Sequence, residues 1–393
     1  MTGWLNRNVA GMAVTSFCAD VGYEMVSAVL PGFLASIGVA AAALGWIEGV
    51  ADAVSSFVKL GSGWYGDRVG HRKPIVALGY FLSGTALSVF AVAVSWPLVL
   101  AGRMVAWFGK GIRGPLRDAM LSESSPPEVR GKVFGAHRAS DTAGAVIGPL
   151  LGAWLLTRLP HSTPSSPFRT IFLVSLIPGL MSFFAMVFIV KERRGVPNPR
   201  HKFWKSVRAM PREYRRFLVA VALFGSGDFA PTLLILAVTQ LRGAELGALL
   251  YVVRNLVYAL AAFPAGALAD RMNQPRLLAV GYGLGALTAF SAAHCFFWHV
   301  TSTAALTGVF VLAGLFVAIQ DTLEGTIPAG LIAASDRGTA YGILGAVNGV
   351  GDLIASGLVG TLWTLVSPVA GFAAAGVLMA SGAAALAAGQ QRA

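Results

Sequence analysis

Residues 74–92, PIVALGYFLSGTALSVFAV, carry no charged side chain, and long apolar runs recur along the whole chain. Such runs constrain a fold more than any single motif does. A helix needs about 20 apolar residues to cross a bilayer core. Lipid offers the backbone no hydrogen-bond partner, so only helices and closed barrels can span it. Barrel strands alternate over about ten residues, whereas these runs are continuous and rich in Ala, Gly, Val and Leu. Only 12% of residues are charged, about half the share in a soluble globular chain. The reading is an all-α membrane protein.

Twelve spans are expected, near 9–36, 41–66, 74–92, 95–121, 129–157, 168–190, 214–240, 244–269, 275–298, 303–331, 337–365 and 367–388. The first outruns a signal peptide and is expected to be retained. Cys18 and Cys295 both fall inside spans, so they read as packing residues and not as a disulfide framework.

The basic residues are segregated. Residues 191–216 hold ten Lys/Arg and two Glu, while the loops near 37–41, 93–97 and 366–369 hold no Lys or Arg. The positive-inside rule then places residues 191–216 and both termini in the cytoplasm, around a plasma (inner) membrane. Topology thereby explains the isoelectric point near 10.2, and no nucleic-acid partner is expected. The same segment divides the chain into a six-helix bundle over 1–190, a basic cytoplasmic linker over 191–213 and a second six-helix bundle over 214–393.

An internal repeat supports that division. GWYGDR (Gly63–Arg68) returns as GALADR (Gly266–Arg271) at an offset of 203, and RGKVFG (Arg130–Gly135) as RGTAYG (Arg337–Gly342) at an offset of 207. Two parallel six-span halves are one transporter plan, with the substrate site near the midplane between them. The turn GWYGDRVGHRK, with Gly63, Asp67, Arg68, Gly70, Arg72 and Lys73, resembles the signature between spans 2 and 3 of the major facilitator superfamily. Its reduced copy, Gly266, Asp270 and Arg271, stands between spans 8 and 9. Asn273 replaces the counterpart of Gly70 there, which suggests a looser turn. The resemblance implies twelve helices in two pseudo-symmetric bundles.

In that turn Gly63 allows close helix approach. Asp67 can meet the positive N-terminal end of a helix of the other half, the one starting near Arg337, for about 0.3–1 kcal/mol. Gly63, Asp67, Arg68, Gly70, Arg72, Asp270 and Arg271 are therefore candidates for a cytoplasmic latch. The alternative for Arg68, Arg72 and Lys73 is a plain topology anchor. In span 5, GAVIGPLLG sets Gly144, Gly148, Pro149 and Gly152 at G-x-x-x-G-P-x-x-G spacing. This resembles the span-5 motif of proton-coupled exporters in the superfamily. The spacing alone makes a smooth packing face with a bend at the proline. DVGYEM, WIEG, GKGIRGPLRDAM and HRASDTAGAVIGP together resemble a prokaryotic, efflux-permease-like branch.

Ionisable residues inside spans are costly and are functional candidates by default. Asp20 and Glu24 lie one turn apart on one face. Glu48, Asp52 and Lys59 share a face within about 40°, as do Arg103, Lys110 and Arg117, with Arg113 about 40° further round. Arg138 and Asp141 are three apart on span 5, and the second half offers Asp228, Arg254, Asn348 and Asp352. Bland readings compete: a structural network for Glu48, Asp52 and Lys59, snorkelling or a latch contact for Arg113 and Arg117, and ion pairs for Arg138–Asp141 and Asp228–Arg254. Asp20 and Glu24 have no basic residue on their own helix, and the resemblance implies that span 1 lines the cavity.

No metal-ligand spacing and no phosphate-cradling G-x-x-x-x-G-K-[ST] is present, so neither an enzyme, a metal nor a cofactor is expected, and a proton gradient supplies the drive. The expected function is proton-coupled efflux (antiport) of small organic molecules by a monomer. Proton-coupling candidates are Asp20, Glu24, Glu48, Asp141 and Asp228; substrate-binding candidates are Glu24, Arg138, Asp141, Arg254 and Asn348. Uptake or exchange of an anionic metabolite, held by Arg138, Arg254 or Arg113, is the alternative. A non-transporting receptor on the same scaffold is the reading from a different class.

Overall fold

The computed structural model describes residues 5–69, 71–124, 129–192, 210–269, 271–332 and 337–390. Among them the regular structure is helical, with no strand. The helices are α1 (Arg7–Ser36), α2 (Ala41–Val69), α3 (Lys73–Thr85, continued as a 3-10 turn over Ala86–Val92), α4 (Trp96–Glu123), α5 (Arg130–Arg158), α6 (Ser166–Val174) and α7 (Leu176–Phe188). They continue as α8 (Arg212–Gly225), α9 (Pro231–Arg242), α10 (Ala244–Ala269), α11 (Gln274–Phe297), α12 (Thr303–Leu331), α13 (Arg337–Leu365) and α14 (Pro368–Gln390).

Ten helical stretches among the described residues are long and apolar enough to cross a membrane. The two other expected spans differ for stated reasons. Helix α4 has the length, but Arg103, Lys110, Arg113, Arg117, Asp118 and Glu123 lower its hydropathy. The run over 214–240 is not one helix. Gly225, Gly227 and Pro231 end α8 and restart α9, and Ala230, held extended before the proline, has ψ 136°. Large apolar side chains lie outward, with Phe263 84% and Leu365 77% exposed. That surface suits lipid as the solvent.

The chain forms two compact units, one of residues 1–39 with 54–201, the other of 40–53 with 202–393. In the first, α1 packs on α5 and α7, and α3 on α4 and α7. Val9, Met12, Val76, Tyr80, Leu116, Met120, Val133 and Met186 fill one end of its core. Phe33, Phe90 and Phe172 fill another part, with edge-on rings at 5.0 and 5.5 Å. Asn6 caps α1, its Oδ1 accepting from the Asn8 and Val9 amides at 3.0 and 3.1 Å, which satisfies donors that a helix start leaves open. In the second unit α11 packs on α12 and α14, and α10 on α12. Phe224 stacks on Tyr282 at 3.7 Å. Residues 40–53 pack there on α13, where a Cβ added at Gly49 would lie 2.9 Å from the Leu353 Cα.

Candidate functional site

In the first unit the span-5 motif sets the position of α1. A Cβ added at Gly144 would lie 2.6 Å from the Phe17 carbonyl oxygen and 2.8 Å from the Asp20 Cβ. One added at Gly148 would lie 2.6 Å from the Val21 oxygen and 3.2 Å from the Glu24 Cβ, and one at Gly152 would lie 3.2 Å from the Met25 oxygen. Glycine alone permits this approach. Pro149 lies inside the same helix. The seam therefore seats α5 against the acidic turn of α1.

The basic face of α4 meets the other side of that turn in antiparallel register. Arg117 Nη1 donates to Ser16 Oγ at 3.1 Å. Arg113 Nη2 lies 4.0 Å from Asp20 Oδ1. Lys110 Nζ sits 4.3 Å over the Tyr23 ring. Arg103 Nη1 donates to Ser27 Oγ at 3.1 Å, and its guanidinium lies 3.7 Å from the Trp107 ring centre. The charges on this ladder are held by counter-charge, hydroxyls and ring faces, the partners that make buried ions tolerable. Arg113 is 3% exposed, its guanidinium also 4.2 Å over Tyr80, so it does not snorkel. Its Nη1 has no hydrogen-bond partner among the described residues. Glu24, one turn beyond Asp20, is buried.

Asp141 faces His137 rather than Arg138: its Oδ2 lies 3.4 Å from His137 Nδ1, and Arg138 is exposed. His137 Nε2 is 2.8 Å from Ser16 Oγ, which also lies 3.0 Å from the Tyr80 hydroxyl.

In the second unit the groups are mostly paired with neutral partners. Asp228 stands in the break between α8 and α9, where Gln320 Nε2 donates to it at 2.9 Å. Arg254 Nη1 donates to Asn255 at 3.0 Å. Glu324, one turn beyond Gln320 on α12, accepts from the Tyr282 hydroxyl and from Asn348 Nδ2, each at 2.7 Å. Glu48 is buried and Asp52 half-buried in this unit, while Lys59 on the same helix is exposed.

Of the latch candidates, Gly70 and Asp270 lie outside the described residues, as do the side chains of Asp67 and Arg68 and the surroundings of Gly63. Arg72 is buried and bonds the Glu123 carboxylate at the end of α4. Arg271 is exposed. Asn273 caps α11, its Oδ1 accepting from the Arg276 amide at 3.1 Å, which gives that residue a local role. Within the linker, 193–209 lie outside the described residues.

Sequence reasoning missed Ser16, Tyr80, His137, Gln320, Tyr282 and Glu324. Glu324 was detectable as an ionisable residue inside a span.

Comparisons with known proteins agree with this architecture. The family model described as Major Facilitator Superfamily matches residues 12–252 and 217–390. An uncharacterised MFS-type transporter of Methanocaldococcus jannaschii is 29% identical over 368 residues, covering 92% of this chain and 89% of that one. The multidrug resistance protein MdtH of Photorhabdus laumondii is 35% identical over 120 residues, 29% of this chain and 30% of that one. The crystal structure of a POT family transporter in complex with 5-aminolevulinic acid has the same fold, with a TM-score of 0.81 at 12% identity over 98% of this chain and 96% of that one. Two helical units with apolar outer surfaces, and a family match that runs from residue 12 to residue 390, lead to one conclusion: the chain belongs to the major facilitator superfamily and is a multi-pass membrane transporter, not an enzyme.

Proposed function

We propose that the protein exports small organic molecules in exchange for protons, by alternating access. The observation that carries this reading is the α1–α4 ladder, in which Asp20 is half-buried inside a span 4.0 Å from Arg113 with Glu24 one turn away. An ionisable side chain inside a span is costly and marks an ion or substrate pathway by default. Cargo and proton compete for Asp20, Glu24 or Asp141, so proton entry releases cargo. Glu48 and Asp228 are further proton-coupling candidates, and Glu24, Arg138, Asp141, Arg254 and Asn348 are candidates for holding cargo. The partial likeness to a multidrug resistance protein supports efflux. Both termini lie in the cytoplasm of a plasma-membrane monomer, and Asp67 belongs to a latch that opens on that side.

A thermal-shift screen of the purified protein against dyes, antibiotics, amino acids, organic acids and metals finds a cargo. That cargo is then added outside proteoliposomes with an imposed pH gradient. Accumulation under an acid lumen supports antiport; accumulation only under an alkaline lumen makes the protein a symporter. A second reading, exchange of an anionic metabolite, is favoured by one observation: four cations share the α4 face, and Arg113 Nη1 has no hydrogen-bond partner among the described residues. Stabilisation by organic acids and not by lipophilic cations selects it.

A further inference from the structure

We propose that the His137–Asp141 pair is a proton-binding site of the first unit, and that Ser16 transmits its state to α1 and α3. The inference rests on the proton-coupled reading above.

Geometry fixes the hydrogen atoms. An ionised Asp141 can only accept, so His137 Nδ1, 3.4 Å away, carries the ring proton. Nε2 is then an acceptor, and Ser16, at 2.8 Å, donates to it. Ser16 Oγ has two remaining acceptor positions. Arg117, which can only donate, takes one at 3.1 Å. The Tyr80 hydroxyl at 3.0 Å takes the other. Ser16 Oγ and both ring nitrogens of His137 are then partnered, with Ser16 and Tyr80 0% exposed and His137 4% exposed.

Adding one proton from water to Nε2 changes the pattern. The new N–H donates to Ser16 Oγ, and Asp141 remains the counter-charge. Ser16 must then turn its hydroxyl toward the one neighbour able to accept, Tyr80. The Ser16–Tyr80 hydrogen bond thereby reverses, and the Tyr80 hydrogen turns out of it. The Tyr80 ring lies 4.2 Å beneath Arg113, and Arg113 faces Asp20 at 4.0 Å. A proton on α5 is thus felt at the acidic turn of α1. Oδ1 of Asp141 has no hydrogen-bond partner among the described residues, which leaves one carboxylate oxygen open. The charged groups acting on His137 are Arg117 and Asp118 from α4 and Asp141 and Arg138 from its own helix. Helix α1 adds Ser16, which touches His137, and Asp20, which acts on Asp141; α3 adds Tyr80 through Ser16.

The order Asp–His–Ser is also that of a nucleophilic triad. Ser16 is wholly buried and already accepts from Arg117, so attack on a substrate is closed to it while movement of its hydrogen is not.

The test is nitrogen NMR of the full chain in nanodiscs with ring-labelled histidine. The six histidines are sorted by the signal lost in His137→Asn. At alkaline pH the proton should sit on Nδ1 with Nε2 bare, and Nε2 should gain a proton as the pH is lowered. Ser16→Ala should move the Nε2 signal, and Asp141→Asn should change the proton affinity of His137 about tenfold or more. If His137→Asn does not fold, the resonance moved by both Asp141→Asn and Ser16→Ala identifies the residue. A proton on Nε2 at alkaline pH, a single state throughout, or signals indifferent to both variants overturns the proposal. Transport is not read in this experiment. A failure of the export reading leaves these signals as predicted, and a failure here leaves proton-driven flux to be carried elsewhere.

Discussion

Replacing Gly148 by alanine adds one carbon to the seam between α5 and α1, and the structure says what that carbon meets. It would stand 2.6 Å from the Val21 carbonyl oxygen, 2.9 Å from the Met25 amide nitrogen and 3.2 Å from the Glu24 Cβ. Ordinary contacts need about 3.5 Å, so the helices must part by close to 1 Å. The first two obstacles are backbone, so no side-chain rotation relieves them. Overfilling of this kind costs about 1–3 kcal/mol, a factor of about 5–150 in the unfolding equilibrium. Gly135 on the same helix is the internal control, because a Cβ there meets nothing within 4 Å. Both substitutions gain the same helix propensity, about 1 kcal/mol, so their difference isolates the steric term. Unfolding in mixed micelles titrated with SDS should find Gly148→Ala less stable than Gly135→Ala by about 1–3 kcal/mol. Equal stabilities would refute the claim that the motif is a close-packed seam against the acidic turn.

Arg72→Met should destabilise the first unit by about 1–3 kcal/mol, and a double-mutant cycle with Glu123→Gln should show coupling. Independent effects would remove the clip between α4 and the turn before α3. Glu324→Gln turns one of the two accepting oxygens into a donor, which the Tyr282 hydroxyl can accept by turning, and should cost less than Glu324→Ala in an unfolding titration. Glu324→Ala strands the Tyr282 hydroxyl and the Asn348 amide and should cost about 1–3 kcal/mol by the same assay. Asp67→Asn should lower transport at normal expression; full transport would end its role as a latch.

The helices were legible because apolar runs and lipid thickness leave few choices, and α10 begins and ends where its run does. The break at 226–230 was written in Gly225, Gly227 and Pro231, yet the apolar residues on both sides masked it. The basic stripe of α4 and the acidic turn of α1 were each readable from their spacing. Their meeting was not, because periodicity orients a face without naming its neighbour. Only the antiparallel register places Arg113 on Asp20 and Arg117 on Ser16. His137 shows no metal-ligand spacing in the sequence, and its partners come from a turn of its own helix and from a helix 121 residues away in sequence.

The central claim is that the carboxylates of α1 couple proton movement to transport. Glu24→Gln holds that side chain in the neutral form, and the double variant with Asp20→Asn does so for both. The measurement is cargo flux in proteoliposomes under an imposed pH gradient, with a pH-sensitive dye following the protons. The account predicts that the double variant loses cargo-linked proton flux. Cargo-linked proton flux at the wild-type rate in that variant would contradict it, and would move the search to Glu48, Asp141 or Asp228.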